Sequence, residues 1–354
     1  MDTSELDYQL PDERIAQLPV EPRDSARLLV DRGSGVEHRH VRDLPDLLDP
    51  GDVVVVNTTR VLPARLELVK ETGGRAEVLL LEERGDLGQD CWEALVRPGR
   101  RLPAGTVLRP AADPAQLTLI VGDDLGDGLR CVQVMTAAGD TRAAIRRTGT
   151  MPLPPYIAAP LDDAERYQTI YSDPDRDESV AAPTAGLHLT ASLMDALAER
   201  GVAIATVELV VGLGTFRPIG VDQIEDHEMH AERYRVPDDT LAACQAARDR
   251  SHDVVAVGTT TVRALESAAA TGHLDGRTDL FIRDPYPFRI VDRLLTNFHL
   301  PRSSLLAMID AFVGPDADGS RRWHRLYEAA LAGDYRFLSF GDAMLLTRHQ
   351  AAPR

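Results

Sequence analysis

Residues 50–60 read Pro50-Gly51-Asp52-Val53-Val54-Val55-Val56-Asn57-Thr58-Thr59-Arg60. A turn, four uninterrupted valines and a polar stop describe a strand covered on both faces, as in a parallel sheet with helices on either side. A strand with one wet face would alternate apolar and polar residues instead. In open α/β sheets ligands bind beyond the carboxyl ends of the strands, so Asn57 and Arg60 become candidates for substrate contact. A capped turn and a surface arginine are the plain alternative.

The same grammar recurs along the chain. The run V-A-I-A-T-V-E-L-V-V leads into Gly212-Leu213-Gly214-Thr215-Phe216-Arg217, and V-V-A-V leads into Gly258-Thr259-Thr260-Thr261 and a helix carrying Arg263 and Glu266. A third run, L-L-T-N-F-H, ends on Asn297 and His299. Gly212, Gly214, Thr215, Phe216, Arg217, Thr259, Thr260, Arg263 and Asn297 therefore join the substrate-contact set. A lone G-x-G without a third glycine and a following helix is not a dinucleotide fingerprint.

Upstream lies S-V-A-A-P-T-A-G-L-H-L-T, residues 179–190. Small residues there, Ala185 and Gly186 among them, leave backbone amides uncovered, Pro183 fixes one φ, and Thr184 and His188 supply polar chemistry. A helix pattern follows from Ala191 and stops at Gly201, and its first amides would attract an anionic or polar ligand group. A tight turn around a packed histidine fits the same residues. If the sheet reading holds, the loops at 184–188, 212–217 and 258–261 meet in one pocket. Farther on, His227, Glu228, His230 and Glu232 crowd together, but H-x-x-H lacks the i, i+4 spacing of a zinc helix and a third ligand is missing, so no metal is expected.

Between Leu62 and Thr148 the pattern changes to short β runs such as A-R-L-E-L-V, A-E-V-L-L-L-E, W-E-A-L-V-R, L-T-L-I-V and L-R-C-V-Q-V, separated by Gly and Pro turns. Five or six such strands predict a small antiparallel β-barrel. Beyond it, Pro152, Pro154 and Pro155 impose an extended path back. The fold class is thus α/β, a larger domain with a largely parallel sheet made from residues 1–61 and 149–354, interrupted by a barrel domain at 62–148. The insert carries basic clusters at Arg97, Arg100 and Arg101 and at Arg142, Arg146 and Arg147.

The 354 residues carry a formal net charge of −17, which opposes general adhesion to phosphate backbones, so a nucleic-acid partner would need a local basic patch. Lys70 is the only lysine among 39 basic residues, and its place in L-V-K-E-T-G-G suits neither a Walker motif nor a pyridoxal phosphate Schiff base. Cys91, Cys131 and Cys244 lack C-x-x-C spacing and read as reduced, buried thiols. The N-terminal stretch has no secretory pattern and no apolar run spans a bilayer, which reads as a cytoplasmic protein without a membrane partner.

Taken together, V-N-T-T-R-V-L-P-A-R-L, G-T-M-P-L-P-P-Y-I, S-V-A-A-P-T-A-G-L-H, V-G-L-G-T-F-R-P-I, D-H-E-M-H, V-G-T-T-T-V-R-A-L-E-S, T-N-F-H-L-P-R-S-S-L-L and Y-R-F-L-S-F-G-D-A-M-L resemble the S-adenosylmethionine:tRNA ribosyltransferase-isomerases of queuosine biosynthesis, in order and along essentially the whole chain. The resemblance implies a monomer with a larger α/β domain and an inserted barrel. It implies S-adenosylmethionine as a substrate, not a cofactor, and preQ1-modified tRNA as the acceptor, giving epoxyqueuosine-tRNA with release of adenine and methionine. One position departs: Val210 stands where the family usually has histidine, in L-H-V-G. A paralogue using S-adenosylmethionine with a non-tRNA acceptor is the alternative that Val210 and the acidic charge raise.

The reaction asks for a base. The sulfonium acidifies the neighbouring C5′ protons, and a histidine needs the least tuning to remove one near neutral pH. His188, His227 and His299 are the candidates, His188 first because it closes the small-residue loop, with Arg263 or Glu266 orienting the ligand. Arg142, Arg146 and Arg147 are the expected tRNA contacts.

Overall fold

The structure, a computed structural model, describes residues 1–212 and 218–349, the Arg100 side chain excepted. The chain forms two compact units, one made of Met1–Arg60, Pro154–Arg176 and Ala182–Arg354, the other of Val61–Leu153 and Asp177–Ala181.

Among the described residues the first unit holds a nine-stranded sheet. Val53–Asn57 lies beside its middle strand, flanked in parallel by Ala203–Leu209 and Val254–Val257, with Arg293–Asn297 parallel to the last of these. All five residues of Val53–Asn57 are buried, as the uninterrupted valines predict. Burying four valines stabilises by about 6 kcal/mol or more before chain entropy is subtracted.

The expectation of a largely parallel sheet is corrected at both sides. Ala343–Thr347 runs antiparallel to Arg293–Asn297, Arg27–Asp31 is parallel to Ala343–Thr347, and Val36–His40 closes that edge antiparallel. On the other side Glu232–Arg235 and Asp275–Thr278 add two antiparallel pairs. The sheet is mixed. A continuous apolar run reports that both faces are covered and carries no information about the direction of the neighbouring strand.

The Ala191–Glu199 helix places Leu193 and Leu197 against Val54, Val56, Val255, Val257 and Leu295 on one face of the sheet. Thr190 caps that helix, its hydroxyl accepting from the Leu193 N–H at 3.2 Å. The Asp238–Asp249 and Thr259–Thr271 helices pack on Val53–Asn57 and Ala203–Leu209.

The second unit is a closed barrel of six antiparallel strands, in the order Leu129–Met135, Cys91–Arg97, Arg75–Glu83, Arg65–Lys70, Val107–Arg109 and Thr118–Gly126. Alternate residues fill it: Leu66, Val78, Leu80, Ala94, Leu108, Leu119, Val121 and Val132 are all fully buried. Five of the strands match β runs in the sequence. The sixth, Val107–Arg109, is three residues long and too short to show a period. Cys91 and Cys244 are buried but Cys131 is only half-buried, and all three are free thiols. No helix among the described residues is long and apolar enough to cross a membrane.

Candidate active site

Four strand ends converge, and each is shaped by a different local device. Asn57 closes the Val53–Asn57 strand with its side chain turned into a strap. Its amide donates to the Leu209 carbonyl at 3.0 Å and to Thr260 Oγ1 at 3.3 Å, while its oxygen accepts from the Leu209 N–H at 3.2 Å. Gly258 follows Val257 with φ of +89°, a conformation that costs any residue with a Cβ, and it starts the Thr259–Thr271 helix without offering a side-chain cap. Thr261 is committed inward, its hydroxyl donating to the Val257 carbonyl at 2.7 Å. Thr259 and Thr260 are left at the helix N-terminus.

Asn297, at the end of its strand, joins two segments distant in sequence. It accepts from Thr184 Oγ1 at 3.0 Å and donates to the Leu338 carbonyl at 3.1 Å. The 3-10 turn Thr184–His188 is thereby fixed against the strand end. Gly186 permits the close approach on the other side of that turn, since a Cβ there would sit 1.9 Å from the Tyr171 hydroxyl.

Between these ends lies a cleft of about 600 Å³, open to solvent. Its walls are Ala182–Ala185, Val211, Gly258–Thr260 and Thr296–Leu300, completed by Tyr156, Ser303, Leu305, Leu338 and Ser339. Among the described residues no charged side chain lines it. His299 is the imidazole in the wall, 8% exposed, its Nε2 3.0 Å from Thr296 Oγ1. Burial pushes its pKa down to about 3, so the ring is neutral at physiological pH.

Of the residues singled out in the sequence, the structure brings Thr184, Ala185, Thr259, Thr260, Asn297 and His299 together in this cleft. Gly214, Thr215, Phe216 and Arg217 lie outside the described residues. The others do not line it. His188 is buried with Nδ1 3.0 Å from the Ala185 carbonyl and Nε2 2.8 Å from that of Gly341, so it ties the turn to the closing segment. Burial lowers its pKa, against the two carbonyls, which favour the protonated ring. Gly186 and Gly212 stand behind the wall, Gly212 donating its N–H to Glu232 at 2.8 Å. Arg60 pairs with Glu165 and donates to Ser172 at 3.0 Å. His227 is half-exposed and meets the Phe281 ring edge-on at 5.3 Å.

Arg263 and Glu266 do not pair with each other. Arg263 is buried against Glu232 and donates to the carbonyls of Thr278 and Leu280. Glu266 is fully buried and accepts from the backbone N–H groups of Arg289, Ile290 and Val291 at 2.8, 3.0 and 3.1 Å. It holds the Arg289–Val291 loop. Nor do the amides of the Ala191–Glu199 helix reach the cleft; the helices that start there begin at Thr259 and at Ser304.

The sequence reading missed Tyr156, Thr296, Ser303 and Ser339. The Tyr156 hydroxyl lies 2.7 Å from Ser339 Oγ. The single polar residue inside R-F-L-S-F-G was the available signal for Ser339.

In the barrel unit, Arg142 pairs with Glu83 and Asp177, and Arg146 pairs with the same Asp177, which is only 4% exposed. Those two guanidiniums are already engaged. Arg147 is exposed.

The family described as "Queuosine biosynthesis protein" matches residues 3–346. The chain belongs to this family. A queuosine biosynthesis relative from Moorella thermoacetica, named S-adenosylmethionine:tRNA ribosyltransferase-isomerase, is 48% identical over 98% of this chain and 100% of its own. One of the same name from Thermus thermophilus is 48% identical over 96% of this chain and 98% of its own. The crystal structure of S-adenosylmethionine tRNA ribosyltransferase from Thermotoga maritima superimposes with a TM-score of 0.53 at 36% identity, covering 97% of this chain and 99% of that one. Val211 lines the cleft and Val210 does not.

Proposed function

We propose that the chain is an S-adenosylmethionine:tRNA ribosyltransferase-isomerase, which moves and isomerises the ribosyl unit of S-adenosylmethionine onto preQ1 in tRNA and releases adenine and methionine. The observation that carries this is a cleft at the strand ends lined, among the described residues, by hydroxyls and no charged side chain, in a chain whose relatives bear that name over their full length. No relative reported above is named for a non-tRNA acceptor.

The cleft suits a sulfonium. Hydroxyls of Thr184, Thr259, Thr260 and Ser303, the Asn297 amide and a neutral imidazole meet the cation, with no fixed charge among the described residues of the wall. His299 is the base in this reading. With Nε2–H donated to Thr296 Oγ1, Nδ1 carries the lone pair. Removing a C5′ proton turns the sulfonium centre into a ylide of zero net charge and the imidazole into an imidazolium, so the number of net charges in the cleft is unchanged, a transfer that a low-dielectric cleft tolerates despite the depressed basicity of the ring. Adenine departs next, and the aminomethyl nitrogen of preQ1 attacks. His188 positions Thr184 and Ala185 by holding the turn. A single cytoplasmic chain is the working unit, and Arg147 is the first candidate for a tRNA phosphate.

Ribose-labelled S-adenosylmethionine incubated with preQ1-tRNA tests the reaction. Label in tRNA is expected; adenine release with no labelled tRNA overturns the assignment. His299→Ala should slow C5′ proton exchange by about 100-fold or more while substrate affinity changes far less. Exchange at the wild-type rate would remove His299 from the role.

A further inference from the structure

A second recess opens beside the cleft and shares Thr259, Thr260 and Leu305 with it. Its character is different. Met229, Leu280, Phe281, Ile282 and Met308 make its walls apolar, and the polar groups at its border are few: the Thr259, Thr260 and Ser304 side chains and the Arg263 guanidinium. Arg263 is already engaged with Glu232 and with the Thr278 and Leu280 carbonyls. The recess is shallow and partly open to solvent.

We infer that this recess is the adenine subsite. The inference rests on the reading of S-adenosylmethionine as substrate, which is itself divided: a zwitterionic amino-acid end and a sulfonium, then a ribose, then a flat, weakly polar purine. The two compartments divide in the same way, and the shared wall of Thr259, Thr260 and Leu305 is where the ribose would cross. An aromatic ring and two thioethers give a purine face the contacts that sulfur and π surfaces make best. The competing base, the deazaguanine of preQ1, presents an amide edge and an exocyclic amine that need several fixed partners. An apolar recess whose bordering guanidinium is already engaged supplies too few of them, and a buried polar edge without partners costs more than the burial gains.

The position also suits the leaving group. Adenine expelled into an apolar compartment is separated from the polar one in which the sulfonium carbon is exposed to the base, so the product does not have to pass the reacting atoms.

Two half-buried wall residues that do not line the main cleft test the subsite. Met229→Trp fills the recess and Phe281→Ala opens it; both positions are partly exposed, and folding is checked by thermal melting. Calorimetric titration with S-adenosylmethionine and with 5′-methylthioadenosine, which keeps the adenine and lacks the amino-acid end, is expected to show affinity lost by about tenfold or more in both variants, a loss typical of an aromatic contact or a filled pocket. Binding of preQ1-tRNA should stay within about twofold. Unchanged nucleoside affinity with weakened preQ1-tRNA binding assigns the recess to the acceptor base and overturns the inference, as does no change in either ligand. The label-transfer assay on the wild-type chain decides the reaction separately, so failure there and failure here are told apart.

Discussion

Single side chains in this molecule are read correctly only with their partners in view. His188 and His299 look alike in the sequence, each near a strand end and a proline. The first is held between two carbonyls and the second is in the cleft wall, because the Thr184–His188 turn and the Thr296–His299 segment direct their rings oppositely relative to the cleft. His299 also makes a prediction about pH. An unfolded imidazole takes up a proton near pH 6.5, whereas the folded one does so only near pH 3. Over that window the unfolded state binds the extra proton, so stability falls as pH is lowered, by up to about 1.4 kcal/mol per pH unit from this residue. Denaturant titrations from pH 7 to 4 should show a shallower decline for His299→Gln than for the wild type; parallel declines would contradict the depressed pKa. Val210 belongs at this scale too. Since Val211 and not Val210 lines the cleft, restoring the family's usual histidine by Val210→His should leave kcat/KM within about threefold, or about 0.6 kcal/mol. A tenfold rise in label transfer would place position 210 in the chemistry.

At the level of elements, the Thr259–Thr271 helix does two jobs at different turns. Its first turn borders the cleft, and about two turns beyond Thr259 Glu266 gathers three backbone N–H groups from the loop at Arg289–Val291. Removing that carboxylate by Glu266→Ala leaves three donors without their acceptor and should cost about 3 kcal/mol or more in stability, measured from the denaturant midpoint. Affinity for S-adenosylmethionine in the folded fraction should change little, whereas a ligand-orienting residue would lose affinity without losing stability. In the sequence, Arg263 and Glu266 stand three apart and invite the reading of an intrahelical pair. The fold instead supplies each with partners from other segments, and no helical spacing encodes that. Strand ends were legible for a better reason: an apolar run that stops at Asn, Gly or Thr marks where the sheet stops burying side chains. Strand direction was not, because Ala343–Thr347 and Val254–Val257 carry the same kind of apolar run and lie in opposite senses against Arg293–Asn297.

Across the whole molecule, a net charge of −17 means that attraction to tRNA must come from position. Three arginines at 142, 146 and 147 look equivalent in the sequence, but Arg142 and Arg146 are paired to acidic side chains and Arg147 is exposed. Arg147→Ala is expected to lower the slope of log affinity against log salt by about one for preQ1-tRNA. Arg146→Ala should instead leave Asp177 poorly paired and lower the melting temperature, with little change in that slope. Equal slope changes for both would show that the ion pairs open on binding. By itself the sequence determined a sheet buried on both faces, an antiparallel barrel between Leu62 and Thr148, and polar loops at the strand ends, because burial, turn chemistry and termination are written in local periodicity. Only the tertiary structure decided which way the outer strands run, that His299 and Asn297 meet Thr184 while His188 ties the turn to Gly341, and that Glu266 holds a loop. Apart from the hairpin of Arg27–Asp31 with Val36–His40, each of those depends on partners more than twenty residues away, and the pairing of distant groups is set by how the layers stack, which no window of neighbouring residues contains.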